Sequence, residues 1–182
     1  MRSNRIDCID GVHSIPTKLV SDNRGTFLKI DPLHGLSEPL TSIALSVTKE
    51  IGTIRGLHFQ VEPYAEEKLI TCVKGAIFDV LVDLRPNSNT FGKWMGSELK
   101  SDIPFQFYIP KGVAHGFQTL TTDTYIHYCL NSEFTPNAYF SLNPFMDLNI
   151  DWPLEAVNVS ENDRAGLMFE AAAKKYSDSL GC

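Results

Sequence analysis

The sequence predicts a mainly β chain: an antiparallel sandwich or barrel followed by a short C-terminal helix. Three observations carry that reading. About ten short segments rich in branched and aromatic residues recur along the chain. Clusters of Gly, Pro, Asn and Asp separate them, and only the last stretch has sustained helix-former composition. Many short strands with closely spaced turn signals are the signature of such folds.

Taken in order, the predicted strands are Gly25–Ile30, Ser42–Val47, Thr53–Gln60, Lys68–Val73, Ala76–Leu84, Gly92–Glu98, Phe105–Ile109, Gly116–Leu120, Thr124–Leu130 and Ala138–Leu142. Lys74-Gly75, Pro86-Asn87-Ser88-Asn89 and Pro110-Lys111-Gly112 supply the turn chemistry between them. In Ala76–Leu84, Phe78, Val80, Val82 and Leu84 form one row and Ile77, Asp79, Leu81 and Asp83 the other. Two carboxylates on an apolar row mark either a face lining a polar cavity or a solvated face. One helix is expected from Asn162 to Tyr176, with Ser160 as N-cap, Asp163 in its first turn and Ala171-Ala172-Ala173 near its end.

The 182 residues predict one domain spanning 1–182, large enough to fold without disulfide or metal. The net charge of −6, from 22 acidic and 16 basic residues, argues against sequence-independent binding to nucleic acid or an anionic membrane. It leaves room for a basic pocket and a small anionic ligand. Apolar runs fall short of the ~20 residues of a membrane helix, and Met1–Asp10 has no apolar signal core. Cys8, Cys72, Cys129 and Cys182 form no paired motif and read as reduced thiols, so a cytoplasmic location is expected and thiolate-bound zinc is not.

The segment Gly52-Thr-Ile-Arg-Gly-Leu-His-Phe-Gln60 is the most unusual. His58 and Gln60 share a strand face with Gly56, which leaves space above it. His58 is either a general base or a hydrogen-bonded core histidine. Arg55 points the other way unless Gly56 permits a bulge; a surface ion pair is its plain alternative. Lys68 shares a row with Ile70 and Cys72, either as a buried cation able to stabilise an oxyanion, or as a lysine that reaches the rim or pairs with Glu66. Tyr128 is a candidate proton donor or a structural tyrosine. Pro110-Lys-Gly-Val-Ala-His-Gly116 places His115 after a turn, and with Gly52–Gln60 it resembles the two cupin motifs. His58-x-Gln60 replaces the His-x-His of metal cupins, so a metal held by His58, Glu66 and His115 is a poor set. His13, His34 and His127 read as structural or solvated.

Arg55-Gly-Leu-His-Phe-Gln60, Lys68-Leu69, Phe78-Asp-Val, Asp83-Leu-Arg85, Thr90-Phe-Gly-Lys-Trp94, Ile109-Pro-Lys-Gly-Val-Ala-His-Gly-Phe117, Asp151-Trp-Pro153 and Ser160-Glu-Asn-Asp163 together resemble the dTDP-4-dehydrorhamnose 3,5-epimerase family. The resemblance runs from about Asp22 to Asp163. It implies a cupin-type antiparallel jelly-roll β-barrel, active as a homodimer without metal or other cofactor. The implied substrate is a nucleotide diphosphate sugar, a 4-keto-6-deoxyhexose such as dTDP-4-keto-6-deoxyglucose, inverted at C3 and C5. It further implies His58 as base, oriented by Asp163, Lys68 as stabiliser of the enolate oxygen, and Tyr128 as acid on the opposite face. Arg55 would hold the diphosphate, which suits its forked guanidinium. Arg24, Gln60, His115 and Phe134 would complete the substrate-binding set.

Departures fall on the binding residues. A common Tyr-x-Pro is Phe134-Thr-Pro136 here, Gln-x-Lys is Glu66-Glu67-Lys68, and Phe-x-Glu is Phe27-Leu-Lys29. Gln-x-Asn-x-Ser becomes Ser42-Ile-Ala-Leu-Ser46. The competing readings are a single-centre 3- or 5-epimerase on a related dTDP, CDP or GDP sugar, a 3,4-ketoisomerase, a metal-dependent cupin oxygenase and an inactive sugar-nucleotide binder.

Overall fold

A computed structural model describes Arg5, residues 7–30 and residues 36–181. His34 and Cys182 lie outside the described residues. Among the described residues thirteen strands and two helices follow in chain order: β1 His13–Pro16, β2 Lys18–Asp22, β3 Gly25–Lys29, β4 Ser42–Thr48, β5 Thr53–Gln60, β6 Lys68–Lys74, β7 Ala76–Asp83, β8 Trp94–Lys100, β9 Phe105–Ile109, β10 Val113–Thr119, β11 Thr124–Leu130, β12 Tyr139–Ser141, β13 Asn158–Val159, α1 Glu161–Arg164 and α2 Phe169–Ser179.

One sheet has the order β1-β9-β6-β11-β4. The other runs β12-β5-β10-β7-β8, with β13 added in parallel to β5. The hairpin β2–β3 forms a separate two-stranded sheet. This is the expected cupin-type jelly-roll, built as two facing sheets rather than a closed ring.

Two apolar cores explain why the sheets stack. Ile70, Phe107 and Ile126 of the first sheet meet Ile77, Leu81 and Phe117 of the second between the layers. On the outer face of the second sheet, Phe78, Val80, Val82 and Trp94 pack with Ala172 and Tyr176 of α2. Both rows of β7 are therefore buried, as strands covered on two sides require. The solvated alternative for its carboxylates fails: Asp79 and Asp83 are 1% and 0% exposed. Asp83 accepts hydrogen bonds from Arg85, Ser88 and Thr90, which pins the Pro86–Asn89 turn.

The expected single helix is two. Ser160 caps α1, its Oγ accepting from Asp163 N at 3.1 Å. The chain then leaves the helix at Gly166, where a Cβ would lie 2.9 Å from Asn143 N and 3.0 Å from Asp163 O. Leu167 N donates instead to Ser141 O at 2.8 Å, before α2 begins at Phe169. Strands β1, β2 and β13 were not expected: β1 ends in a proline, β2 is exposed throughout, and β13 has two residues. Among the described residues no helix is long and apolar enough to cross a membrane.

Candidate active site

A cavity of about 320 Å³ opens between the layers, lined from both sheets by Arg55, His58, Lys68, His115, Tyr128 and Phe134, among others. Its geometry begins with an irregularity in β5. His58 lies opposite His115, while Arg55 lies opposite Phe117. Three steps on β5 thus span two on β10; of the two alternatives for Arg55 it is the bulge that forms, and it turns Arg55 towards the same cavity as His58. Gly56 makes this possible. Its φ is +106°, and a Cβ there would lie 2.7 Å from His115 O.

His58 Nε2 is 2.7 Å from Asp163 Oδ1. Asp163 also accepts from Ser141 Oγ at 2.8 Å and from Gly56 N at 3.3 Å. Burial opposes its ionisation, but these bonds and the facing imidazole outweigh that and hold its pKa down to about 2. Burial also pushes the His58 pKa below its ordinary value, against the pull of Asp163. An ionised carboxylate only accepts, so Nε2 carries the proton and Nδ1 the lone pair. Among the described residues Nδ1 has no hydrogen-bond partner.

Lys68 is buried rather than at the rim. Its Nζ donates to His58 O at 3.2 Å and pairs with Glu66 Oε1 at 3.1 Å, so the cation and its Glu66 partner both belong to the cavity. Across the cavity, His115 Nε2 is 2.6 Å from Asp79 Oδ1, and the Tyr128 ring stands edge-on to the His115 ring at 6.0 Å. Burial, reinforced by Asp79, raises the Tyr128 phenol well above its ordinary pKa. The two histidines each turn Nε2 to a carboxylate, and Glu66 is engaged with Lys68 and Gln60. That donor set fits a metal poorly. Glu67 points elsewhere, accepting from Ser37, Tyr108 and Asn131.

Two expected residues sit differently. Gln60 is 2% exposed and saturated by the protein: its Nε2 donates to Tyr64 O, Glu66 Oε2 and Glu133 O, and its Oε1 accepts from Thr135 N. It braces the Phe134 loop from behind rather than facing the cavity. Arg24 lies on the β2–β3 hairpin, paired with Asp22 at 2.6 Å and away from this cavity. Arg55 is exposed and makes no ion pair among the described residues. Ser42, Ala44 and Ser46 line the cavity, so the departures noted on that strand face the site. Sequence reasoning missed Tyr139, whose ring packs on His58 at 5.0 Å, and Asp79 as the partner of His115. Tyr139 and Ser141 do alternate on one face of the predicted strand Ala138–Leu142, but the sequence carries no sign that this strand pairs with the one bearing His58.

The cupin-type jelly-roll thus brings a His–Asp pair, a buried lysine and a phenol around one cavity, groups able to carry acid–base chemistry. Comparison with known proteins gives the family. Residues 7–171 match the model of the dTDP-4-dehydrorhamnose 3,5-epimerase family. A dTDP-4-dehydrorhamnose 3,5-epimerase of Sinorhizobium fredii is 43% identical over 161 residues, covering 84% of this chain and 82% of that one. A dTDP-4-dehydrorhamnose 3-epimerase of Streptomyces niveus is 32% identical over 170 residues, covering 90% and 82%. The crystal structure of a dTDP-4-dehydrorhamnose 3,5-epimerase from Bacillus anthracis, with TDP and PPi bound, superimposes with a TM-score of 0.81. It is 35% identical and covers 87% of this chain and 94% of its own. The chain belongs to the dTDP-4-dehydrorhamnose 3,5-epimerase family, whose members are isomerases.

Proposed function

We propose that this chain epimerises dTDP-4-keto-6-deoxyglucose at C3 and C5 through an enolate. The observation that carries the reading is the 2.7 Å His58–Asp163 pair opening on the cavity that also holds Lys68 and Tyr128. His58 Nδ1 takes the proton from the carbon beside the C4 ketone, and the C–H electron pair becomes the enolate. Negative charge gathers on the C4 oxygen, where Lys68 spends a remaining N–H. Tyr128 returns a proton to the carbon from the opposite face, inverting it, and both groups then exchange with solvent. Asp163 keeps Nε2–H in place and stabilises the imidazolium. Arg55 binds the diphosphate, and His115, fixed by Asp79, forms the wall beside Tyr128.

A second reading is favoured by Phe134, which carries no hydroxyl at the cavity, and by the resemblance to a 3-epimerase. In that reading only one centre is inverted. Incubation with dTDP-4-keto-6-deoxyglucose followed by NMR of the product decides between them. Inversion at C3 and C5 supports the first reading and inversion at either one alone the second; recovery of unchanged sugar contradicts both.

We take residues 1–182 as one cytoplasmic domain that works as a homodimer. Strand β4 is a sheet edge with Ile43, Leu45 and Val47 exposed, and the hairpin exposes Leu19, Val20 and Phe27. A second copy would cover these apolar surfaces and, seated on the β4 edge beside the cavity, bring a partner's hairpin near it. That arrangement supports a binding role for Arg24 towards the partner's substrate. Sedimentation at twice the monomer mass is the expected result.

A further inference from the structure

We propose that Tyr139 is a substrate-contacting residue whose hydroxyl donates a hydrogen bond to the sugar and so sets which carbon lies beside His58. The inference rests on the epimerase reading above. It starts from how the ring is held. Tyr139 sits on β12, opposite Gln60 of β5. Its ring packs on His58 at 5.0 Å and 39°, and Phe134 meets it edge-on at 5.0 Å and 68°. A ring clamped on two sides points its hydroxyl in one direction.

That hydroxyl has no hydrogen-bond partner among the described residues, which leaves it available to a group in the cavity. The two neighbouring carboxylates are already engaged. Asp163 receives His58, Ser141 and Gly56, and Glu66 receives Gln60 and faces Lys68. Tyr139 borders both the 320 Å³ cavity and an adjoining one of about 340 Å³ that holds Asp163. The hydroxyl is not one of the buried unpartnered atoms but sits where the cavities open, with no protein group competing for it, so an acceptor on a bound ligand can take its hydrogen bond.

The ligand atom belongs to the sugar rather than the nucleotide. His58 must reach a carbon-bound proton, so the group packed against the His58 ring borders the same hexose. The cavity thus holds one phenol beside each histidine: Tyr128 by His115 and Tyr139 by His58. Phe134 supplies the ring that steadies Tyr139 but no hydroxyl, which leaves Tyr139 as the donor on that side.

Tyr139→Phe keeps both ring contacts and removes only the hydroxyl, so a packing role predicts no change. The full chain is assayed in D₂O with dTDP-4-keto-6-deoxyglucose, following deuterium entry at C3 and C5. The expected result is a loss of about tenfold or more in kcat/KM, the usual scale for one lost polar contact to substrate. The ratio of C3 to C5 exchange also shifts, while the melting temperature stays at the wild-type value. Rates and ratio unchanged within about twofold would overturn the proposal. Calorimetry separates this from the reading it rests on. If wild type binds the sugar nucleotide but exchanges neither carbon, the epimerase reading fails. Weaker binding of the sugar nucleotide by Tyr139→Phe, with dTDP bound as before, then still supports the contact. Equal affinities for wild type and variant refute it.

Discussion

His58 and His115 stand directly opposite one another on β5 and β10, yet each turns its Nε2 to a carboxylate on a different element. Asp163 of α1 takes one at 2.7 Å and Asp79 of β7 the other at 2.6 Å. The difference between the pairs is burial. His115 and Asp79 are closed in, with side chains 4% and 0% exposed, whereas the His58 side chain is 27% exposed. A base that exchanges its proton with solvent between turnovers needs that access. That difference in access supports His58, rather than His115, as the base of the proposed reaction.

The acid limb of activity follows from His58. Burial lowers its pKa from 6.5, so the neutral base persists somewhat below that pH. A plot of log kcat/KM against pH is expected to be flat through neutrality and to fall with unit slope only below 6.5. An acid limb centred above 6.5 would contradict this.

Asp163→Asn tests the pair from the other side. The carboxylate favours the protonated imidazole, so its loss moves the acid limb to lower pH. It also removes the group that holds the tautomer, and kcat is expected to fall by roughly 10²–10⁴-fold. Stability has the same sign. Both groups bind fewer protons folded than unfolded, so stability rises with pH. The His58 contribution is complete above 6.5 and fades below it. The Asp163 contribution is complete above 3.8 and is lost as pH falls to about 2. Acid titration of wild type and variant should differ in that lower window.

Gly56→Ala puts a Cβ 2.7 Å from His115 O at a φ of +106°. The expected cost is roughly 2 kcal/mol or more in chemical denaturation, because backbone on both strands must move. Since Arg55 and His58 depend on the same bulge, kcat/KM should fall together with stability.

The sequence made the strands legible where alternation and turn chemistry agreed. Thr53–Gln60, Phe105–Ile109 and Thr124–Leu130 have the same bounds in sequence and structure. It failed where a distant contact decided the outcome. Ala-rich composition suggested one helix, but Gly166 packs against residues 142 and 143, and the helix breaks there. The His58–Asp163 pair joins positions 105 residues apart, so only family resemblance suggested it. Gln60 was placed with His58 because the two share a face. The missing fact was the loop behind it, whose carbonyls and amide absorb every polar atom of that side chain.

Gln60→Leu is therefore expected to act through the Phe134 loop. Glu66 and the Thr135 amide lose a buried partner, which costs about 1–3 kcal/mol of stability. KM for the sugar nucleotide should rise more than kcat falls, because the proton-transfer groups keep their contacts. Steady-state kinetics beside a denaturation curve checks both.

Solvent exchange with His58→Ala is the most direct test of His58 as the base. Wild type and variant are incubated in D₂O with dTDP-4-keto-6-deoxyglucose, and deuterium at C3 and C5 is followed by NMR. Wild type should incorporate deuterium at both carbons, and the variant should lose exchange at both by roughly 10²-fold or more, the scale of a missing general base. Deuterium entering either carbon at the wild-type rate in His58→Ala would mean that another group removes that proton.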